Sequence, residues 1–201
     1  MDRFEHLAMV AFLILGFALI RIFTNMTNLI TKHLLEDEYD TSTVSYYWVH
    51  SVFVFITIFT IILFWWTYYP LNDLEFWPDK NWNLWTYMLF LAVPILMFML
   101  CEVLVPKTSE GKQLDIDLEI YYYRYHRIIL GLAWLLQATL IVNLLVFFQE
   151  PWDSMKVVSR YVMLCLMAPM VFYHNRRLHE TGMGIFFIGF IYIIIKYHIY
   201  S

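Results

Sequence analysis

The sequence predicts an all-α protein, a polytopic transmembrane helical bundle with six spans, and three observations favour this class. Hydrophobic residues make up 61% of the chain and the mean hydropathy is +0.60, both well above the values of soluble domains. Charged residues make up only 15% and gather in short clusters between apolar runs, as they do in loops between membrane helices. The runs are continuously apolar rather than alternating, which favours helices over a transmembrane β-barrel.

We interpret residues 1–201 as a single integral membrane domain. The expected spans cover residues 7–35, 44–68, 85–105, 120–148, 157–173 and 181–200. The first helix has to continue past Ile20, because the purely apolar stretch from Leu7 to Ile20 is too short to cross a bilayer. The second span has aromatic clusters at both ends, which is typical of residues at the two membrane interfaces.

Two later spans carry residues that predict helix contacts. The fourth is uncharged over residues 128–148, and its interior polar groups are Gln137 and Asn143. The sixth contains Gly182, Gly184 and Gly189, which predict a close approach to a neighbouring helix.

The cysteines Cys101 and Cys165 fall in different spans without the spacing of metal ligands. We expect both to be small buried apolar residues.

The second half of the first span has a polar face. Arg21, Asn25, Asn28 and Lys32 stand at positions i, i+4, i+7 and i+11, which places them on one side of a helix. An arginine in contact with hydrocarbon costs about 2.5 kcal/mol or more unless it has a charged or polar partner or is hydrated. We therefore expect this face to be directed at the other helices.

The loop charges predict an orientation. Lys and Arg are more numerous in the first, third and fifth connections than in the others, which assigns those connections to the cytoplasm and both termini to the outside of the cell (inner) membrane. The partly acidic start has no small-residue cleavage motif after it, so we expect the first apolar run to remain as a helix.

Under this topology, polar residues from distant parts of the chain reach one membrane face. The candidate ligand-binding or gating residues are Arg21, Asn25, His50, Glu102, Tyr123, Arg124, His126, Arg127, Asn175 and Arg177. Convergence at one level indicates a cytoplasm-facing pocket. Positive charges outnumber negative ones there, so a small anionic ligand or a phospholipid headgroup is the expected guest.

Structural roles compete with this interpretation. Arg124, Arg176 and Arg177 have the positions of ordinary helix-end anchors, and Arg21 and Glu102 can neutralise each other as an ion pair. A helix-end histidine such as His50 is more often a hydrogen-bonded packing residue than a proton relay.

No motif indicates catalysis, a metal or another cofactor. His174 and His179 stand five residues apart, which on a single helix directs them to different faces. We therefore predict no catalytic residue, no metal ligand and no cofactor.

Three functions remain open. The first is a channel-like, transporter-like or ligand-sensing bundle that binds a small anionic solute or ligand. The second is a membrane enzyme acting on a phospholipid headgroup, with His50 or His126 as general base. The third is an effector or accessory subunit that acts through partner proteins, for instance in phage defence. The expected partners are the lipid bilayer and further copies of this chain, with no nucleic acid.

Five motifs carry a resemblance across nearly the whole chain. They are Arg21 late in the first span, Tyr46-Tyr-Trp-Val-His50, Phe64-Trp-Trp66, Tyr121-Tyr-Tyr-Arg124 and Asn175-Arg-Arg-Leu-His179. In their order the chain resembles a family of small bacterial polytopic membrane proteins of about six helices with no assigned activity. The resemblance implies a multi-pass bacterial membrane protein and brings no reaction or substrate with it.

Overall fold

The computed structural model describes residues 3–35, 44–68, 83–107 and 116–196. Six helices lie in these residues: α1 (Arg3–Leu35), α2 (Trp48–Tyr68), α3 (Leu84–Leu104), α4 (Leu118–Val146), α5 (Met155–Phe172) and α6 (Arg176–Ile194). Each is long and apolar enough to cross a membrane. The predicted all-α bundle is confirmed, and the six apolar helices indicate a multi-pass membrane protein.

Several expected features lie outside the described residues. They are the acidic loop after α1, the aromatic loop between α2 and α3, most of the hydrophilic linker before α4, the last residues of the chain and the side chain of Lys32.

Helices α1, α2 and α6 begin four or five residues from the predicted positions, and α1 begins at Arg3 rather than near residue 7. The second was expected from Val44, but Val44–Ser45 forms a short strand, β1, which pairs in parallel with β2 (Ile116–Asp117). The sixth begins at Arg176 rather than near residue 181, because Asn175 caps it by accepting hydrogen bonds from the backbone N–H groups of Arg177 and Leu178. Arg176 and Arg177 therefore belong to the first turn of α6.

Contacts between helix ends define the two ends of the bundle. At the His50 end, the start of α2 meets the last turn of α3, and the starts of α4 and α6 lie together. At the Tyr68 end, the end of α2 meets the end of α4 through a hydrogen bond from Asn143 Nδ2 to the Tyr68 hydroxyl, 2.8 Å long. Successive helices therefore run in alternating directions, as in a protein that crosses a membrane six times.

The packing order is not the order of the sequence. Helix α1 lies mainly against α3, α3 also packs on α4, and α4 packs on α5. Helix α6 contacts both α2 and α5. Because α1 contacts the rest of the bundle mainly through one helix, one of its sides remains open.

The cysteine expectation holds for one residue only. Cys101 is buried in α3, whereas Cys165 is exposed on α5. The expectation was wrong for Cys165 because α5 is a peripheral helix, and its hydrophobic side chains include several that are directed outward.

The glycines of α6 pack against methionines of α5. A Cβ at Gly182 would lie 2.6 Å from Sδ of Met170, and a Cβ at Gly189 would overlap the end of the Met163 side chain. These two positions confirm the predicted close approach. Gly184 has open space around it, and there the prediction was wrong because the residue is directed away from α5.

We expect Gly182→Leu to lower the free energy of unfolding in detergent by about 1–3 kcal/mol, because the new side chain overpacks the contact with Met170. The matched control is Gly184→Leu, which should be neutral or stabilise by up to about 1 kcal/mol through helix propensity. Denaturant titrations followed by circular dichroism measure both values. Equal destabilisation of the two variants would contradict the assigned α5–α6 contact.

Candidate functional site

The last carbonyls of α3 receive hydrogen bonds from three other helices. His50 Nε2 on α2 lies 2.7 Å from the carbonyl oxygen of Leu104, and Tyr121 on α4 donates to the carbonyl of Val103 over 2.7 Å. Asn25 on α1 donates to the carbonyl of Val105 over a longer 3.5 Å.

The local sequence explains why these carbonyls need such partners. A helix leaves its last carbonyls without intrahelical donors, and Pro106, directly after the α3 cap at Val105, has no N–H to offer. The region is closed to water, since Leu104 is 0% and His50 2% exposed. Buried carbonyls without donors are costly, so Asn25 and His50 have a structural function here.

Charged side chains gather beside this cap. Arg21 Nε lies 2.8 Å from Oε1 of Glu102, and Nζ of Lys107 lies 3.1 Å from Oε2 of the same carboxylate. Within the described residues the Nε atom of Arg21 makes no hydrogen bond of normal geometry, so its contact with Glu102 is electrostatic rather than directional. The three groups together carry one net positive charge.

The pair lies in a groove that is open sideways. The groove, about 460 Å³ in volume, runs between α1 and α3. Its other lining residues are Ile14, Phe17, Ile20, Thr24 and Phe98. The polar face of α1 was expected to point into the bundle. Asn25 does so, but Arg21 lies at the edge, with 36% of its side chain exposed.

A second cluster, of tyrosines and histidines, joins α4 to α6. The Tyr122 hydroxyl lies 2.9 Å from His179 Nδ1, and His179 Nε2 lies 2.9 Å from the carbonyl oxygen of Tyr173. Because a carbonyl only accepts, Nε2 carries the proton and Nδ1 accepts from Tyr122. His179 is fully buried and both of its ring nitrogens have partners.

His126 differs from His179 in having one free nitrogen. Its Nδ1 lies 2.6 Å from the carbonyl oxygen of Tyr123, which assigns the proton to Nδ1. The buried Nε2 has no hydrogen-bond partner within the described residues. The rings of His174 and His179 lie 5.3 and 5.4 Å from that of His126, measured between centroids.

The three imidazoles are brought together because His174 precedes α6. The sequence argument that His174 and His179 point to different faces assumed one helix through both residues, and the start of α6 at Arg176 makes that assumption wrong. In the described part of the chain, no group of three or more histidine, cysteine or acidic side chains has an arrangement that could hold a metal ion.

The connection before α2 joins the same cluster. The hydroxyls of Tyr47 and Tyr123 lie 3.1 Å apart. Burial, together with this hydrogen bond, raises the pKa of Tyr47 far above its ordinary value, so the hydroxyl stays protonated.

The remaining predicted residues lie on the surface. Arg124, Arg127 and Arg177 are exposed, and Asn175 serves as the cap of α6. The structure thus divides the expected single pocket into three parts: the α3 cap, the charged groove and the tyrosine–histidine cluster.

Sequence reasoning missed a polar layer near the Tyr68 end. Arg160 on α5 donates from Nη1 to Oε1 of Gln137 on α4, 3.0 Å away, next to a cavity inside the bundle. The polar Gln137 inside an uncharged span was the available signal, but the sequence does not show which helix faces it.

Comparisons with protein-family models, with characterised proteins and with solved structures give no match. The geometry of the described residues is therefore the basis for a functional proposal.

We expect Tyr122→Phe to lower the free energy of unfolding by about 1–3 kcal/mol, because it leaves the buried Nδ1 of His179 without its donor. Tyr125→Phe is the matched control, since the Tyr125 hydroxyl makes no hydrogen bond within the described residues. Chemical unfolding in detergent micelles measures both. A Tyr122 variant as stable as the Tyr125 variant would contradict the assigned hydrogen bond.

Proposed function

We propose that the protein is a ligand-sensing integral membrane protein whose groove between α1 and α3 binds an anionic phospholipid. The observation that carries the proposal is a groove that combines apolar walls with Arg21 and Glu102. Lys107, which contacts Glu102 from beside the groove, makes this charged group net positive. A headgroup phosphate complements the charge and an acyl chain complements the walls.

The position of the groove along the bundle suits a lipid. Glu102 and Lys107 lie near the end of α3, at the level where a membrane helix reaches the headgroups. Ile14 lies seven residues before Arg21, about 10 Å farther along α1 toward the Tyr68 end. A phosphate at Arg21 would therefore leave its acyl chain along Phe17 and Ile14.

The walls are directed toward the lipid. Phe17 is 59% and Ile20 63% exposed, so an acyl chain can enter from the side without a tunnel. In the orientation that the loop charges predict, the charged end of the groove belongs to the cytoplasmic leaflet, where anionic lipids produce a negative surface potential.

The packing of α1 supports a sensing function. A lipid seated in the groove contacts α1 and α3 together, and α1 contacts little else. Lipid occupancy would thus shift the balance between docked and loosened positions of α1, provided the lipid binds one of them more tightly.

The variants of the charged groups should change lipid affinity with opposite signs. Arg21→Met and Lys107→Met should each weaken phosphatidylglycerol binding about fivefold, since a basic residue near a headgroup contributes about 1 kcal/mol. Glu102→Gln removes the competing negative charge and should strengthen binding by a similar factor. Titration of purified protein in phosphatidylcholine nanodiscs with phosphatidylglycerol at low salt, read out by native mass spectrometry, measures these affinities.

Two controls complete the experiment. Lys156→Met removes an exposed cation at the other end of the bundle and should leave the affinity unchanged. Glycerol phosphate in solution should not displace the lipid, because it lacks an acyl chain for the groove. Unchanged affinity in Arg21→Met, or weakened binding in Glu102→Gln, would refute the proposal and leave the pair as a structural contact.

A further inference from the structure

Arg160 is a half-buried cation with no carboxylate partner among the described residues. It stands six residues into α5, and its hydrogen bond goes to the neutral amide oxygen of Gln137. Within residues 3–35, 44–68, 83–107 and 116–196, no aspartate or glutamate lies within ion-pair distance of it. The guanidinium remains charged at any physiological pH, so its charge needs compensation from elsewhere.

Two other cations of the bundle have carboxylate partners. Lys156, one turn before Arg160 on the same helix, forms an ion pair with Glu150, and Arg21 lies against Glu102. Like Arg21, Arg160 is half-buried, and it lines a cavity between helices. Of these three cations, it is the one for which the described residues supply no counter-charge.

The cavity beside Arg160 has room for a small guest. Its volume is about 70 Å³, and residues of α2 to α6 line it. A cavity of about 10–15 Å³ holds one water molecule. The space beside Arg160 therefore admits a small ion together with part of its hydration shell.

The polar lining of this cavity offers hydrogen-bond donors. Arg160 has five N–H donors and uses one of them on the amide oxygen of Gln137. The Tyr68 hydroxyl accepts from Asn143, so its own hydrogen is free, and the Thr67 hydroxyl makes no hydrogen bond within the described residues.

The hydroxyl of Thr60, in contrast, already donates to a backbone carbonyl of its own helix, the carbonyl of Ile56, over 2.7 Å. Free donors without free carboxylate acceptors complement an anion better than a water molecule, which also needs acceptors.

We infer that this cavity is a binding site for a small monovalent inorganic anion such as chloride, held by Arg160, Tyr68 and Thr67. One negative charge neutralises the single guanidinium, whereas a divalent anion would leave a net negative charge among apolar side chains. The site lies at the end of the bundle opposite to Arg21, so it is independent of the proposed lipid groove.

Chloride binding to the purified full-length protein tests the inference. Equilibrium dialysis with radiolabelled chloride, in a gluconate buffer of constant ionic strength, should show one saturable site per chain. Chloride should also raise Tm relative to gluconate, because a ligand that binds only the folded state stabilises it. Nitrate should compete for the site, and sulfate should not.

Substitutions locate the site. Arg160→Met should abolish both saturable binding and the chloride-dependent rise in Tm, and Tyr68→Phe should weaken binding severalfold. Arg160→Lys keeps the charge and should retain a weaker site, which preserves the test if the methionine variant does not fold. Lys156→Met removes the neighbouring cation of the same helix and should bind chloride like the wild type.

Three results would overturn the inference. The first is a wild-type protein with the same Tm in chloride and gluconate and no saturable binding. The second is undiminished chloride binding in Arg160→Met or, should that variant not fold, in Tyr68→Phe. The third, sulfate binding more tightly than chloride, would refute the assignment to a monovalent anion.

Discussion

The architecture depends on how the buried carbonyl groups at the end of α3 obtain hydrogen-bond donors. Proline at position 106 stops the helix, and the carbonyls of the last turn would remain unpaired among buried side chains. Donors from α1, α2 and α4 satisfy them, through Asn25, His50 and Tyr121. One backbone requirement thus fixes the relative height of four helices, and it places Arg21 beside Glu102 as a consequence.

Buried charges need partners as buried carbonyls do, and the cations of this protein differ in how completely carboxylates neutralise them. The carboxylates of Glu119 and Glu180 flank Arg176 at the surface, where such contacts contribute little to stability. Arg21 is only partly compensated, because Lys107 shares Glu102 with it. Among the described residues, Arg160 has only the neutral amide of Gln137 as a hydrogen-bond partner. The two incompletely compensated sites each lie beside an unfilled space, and this coincidence is the common basis of the lipid and anion proposals.

Hydrophobic pattern predicted the class of fold and the number of helices, since a span is read from length and polarity alone. The convergence of polar residues near the start of α2 and the end of α3 was also predictable, because alternating topology sets the level of each helix end. The function of those residues was not. Whether His50 binds a ligand or a carbonyl depends on the rotation of α2 against α3, and a helix of high overall apolarity does not reveal its buried face. The contact of Arg160 with Gln137 was hidden for the same reason, and β1 and β2 are too short to produce a sequence pattern.

The stability of His50 variants tests the central claim most directly, because the buried His50 side chain joins α2 to the Leu104 carbonyl at the end of α3 over 2.7 Å. If the ring donates to this buried carbonyl, His50→Leu lowers the free energy of unfolding by about 1–3 kcal/mol. His50→Gln retains an N–H donor and should preserve most of the stability. Unfolding titrations in mixed micelles compare the variants with the wild type. A leucine variant as stable as the wild type would contradict the claim that donors from neighbouring helices hold the end of α3.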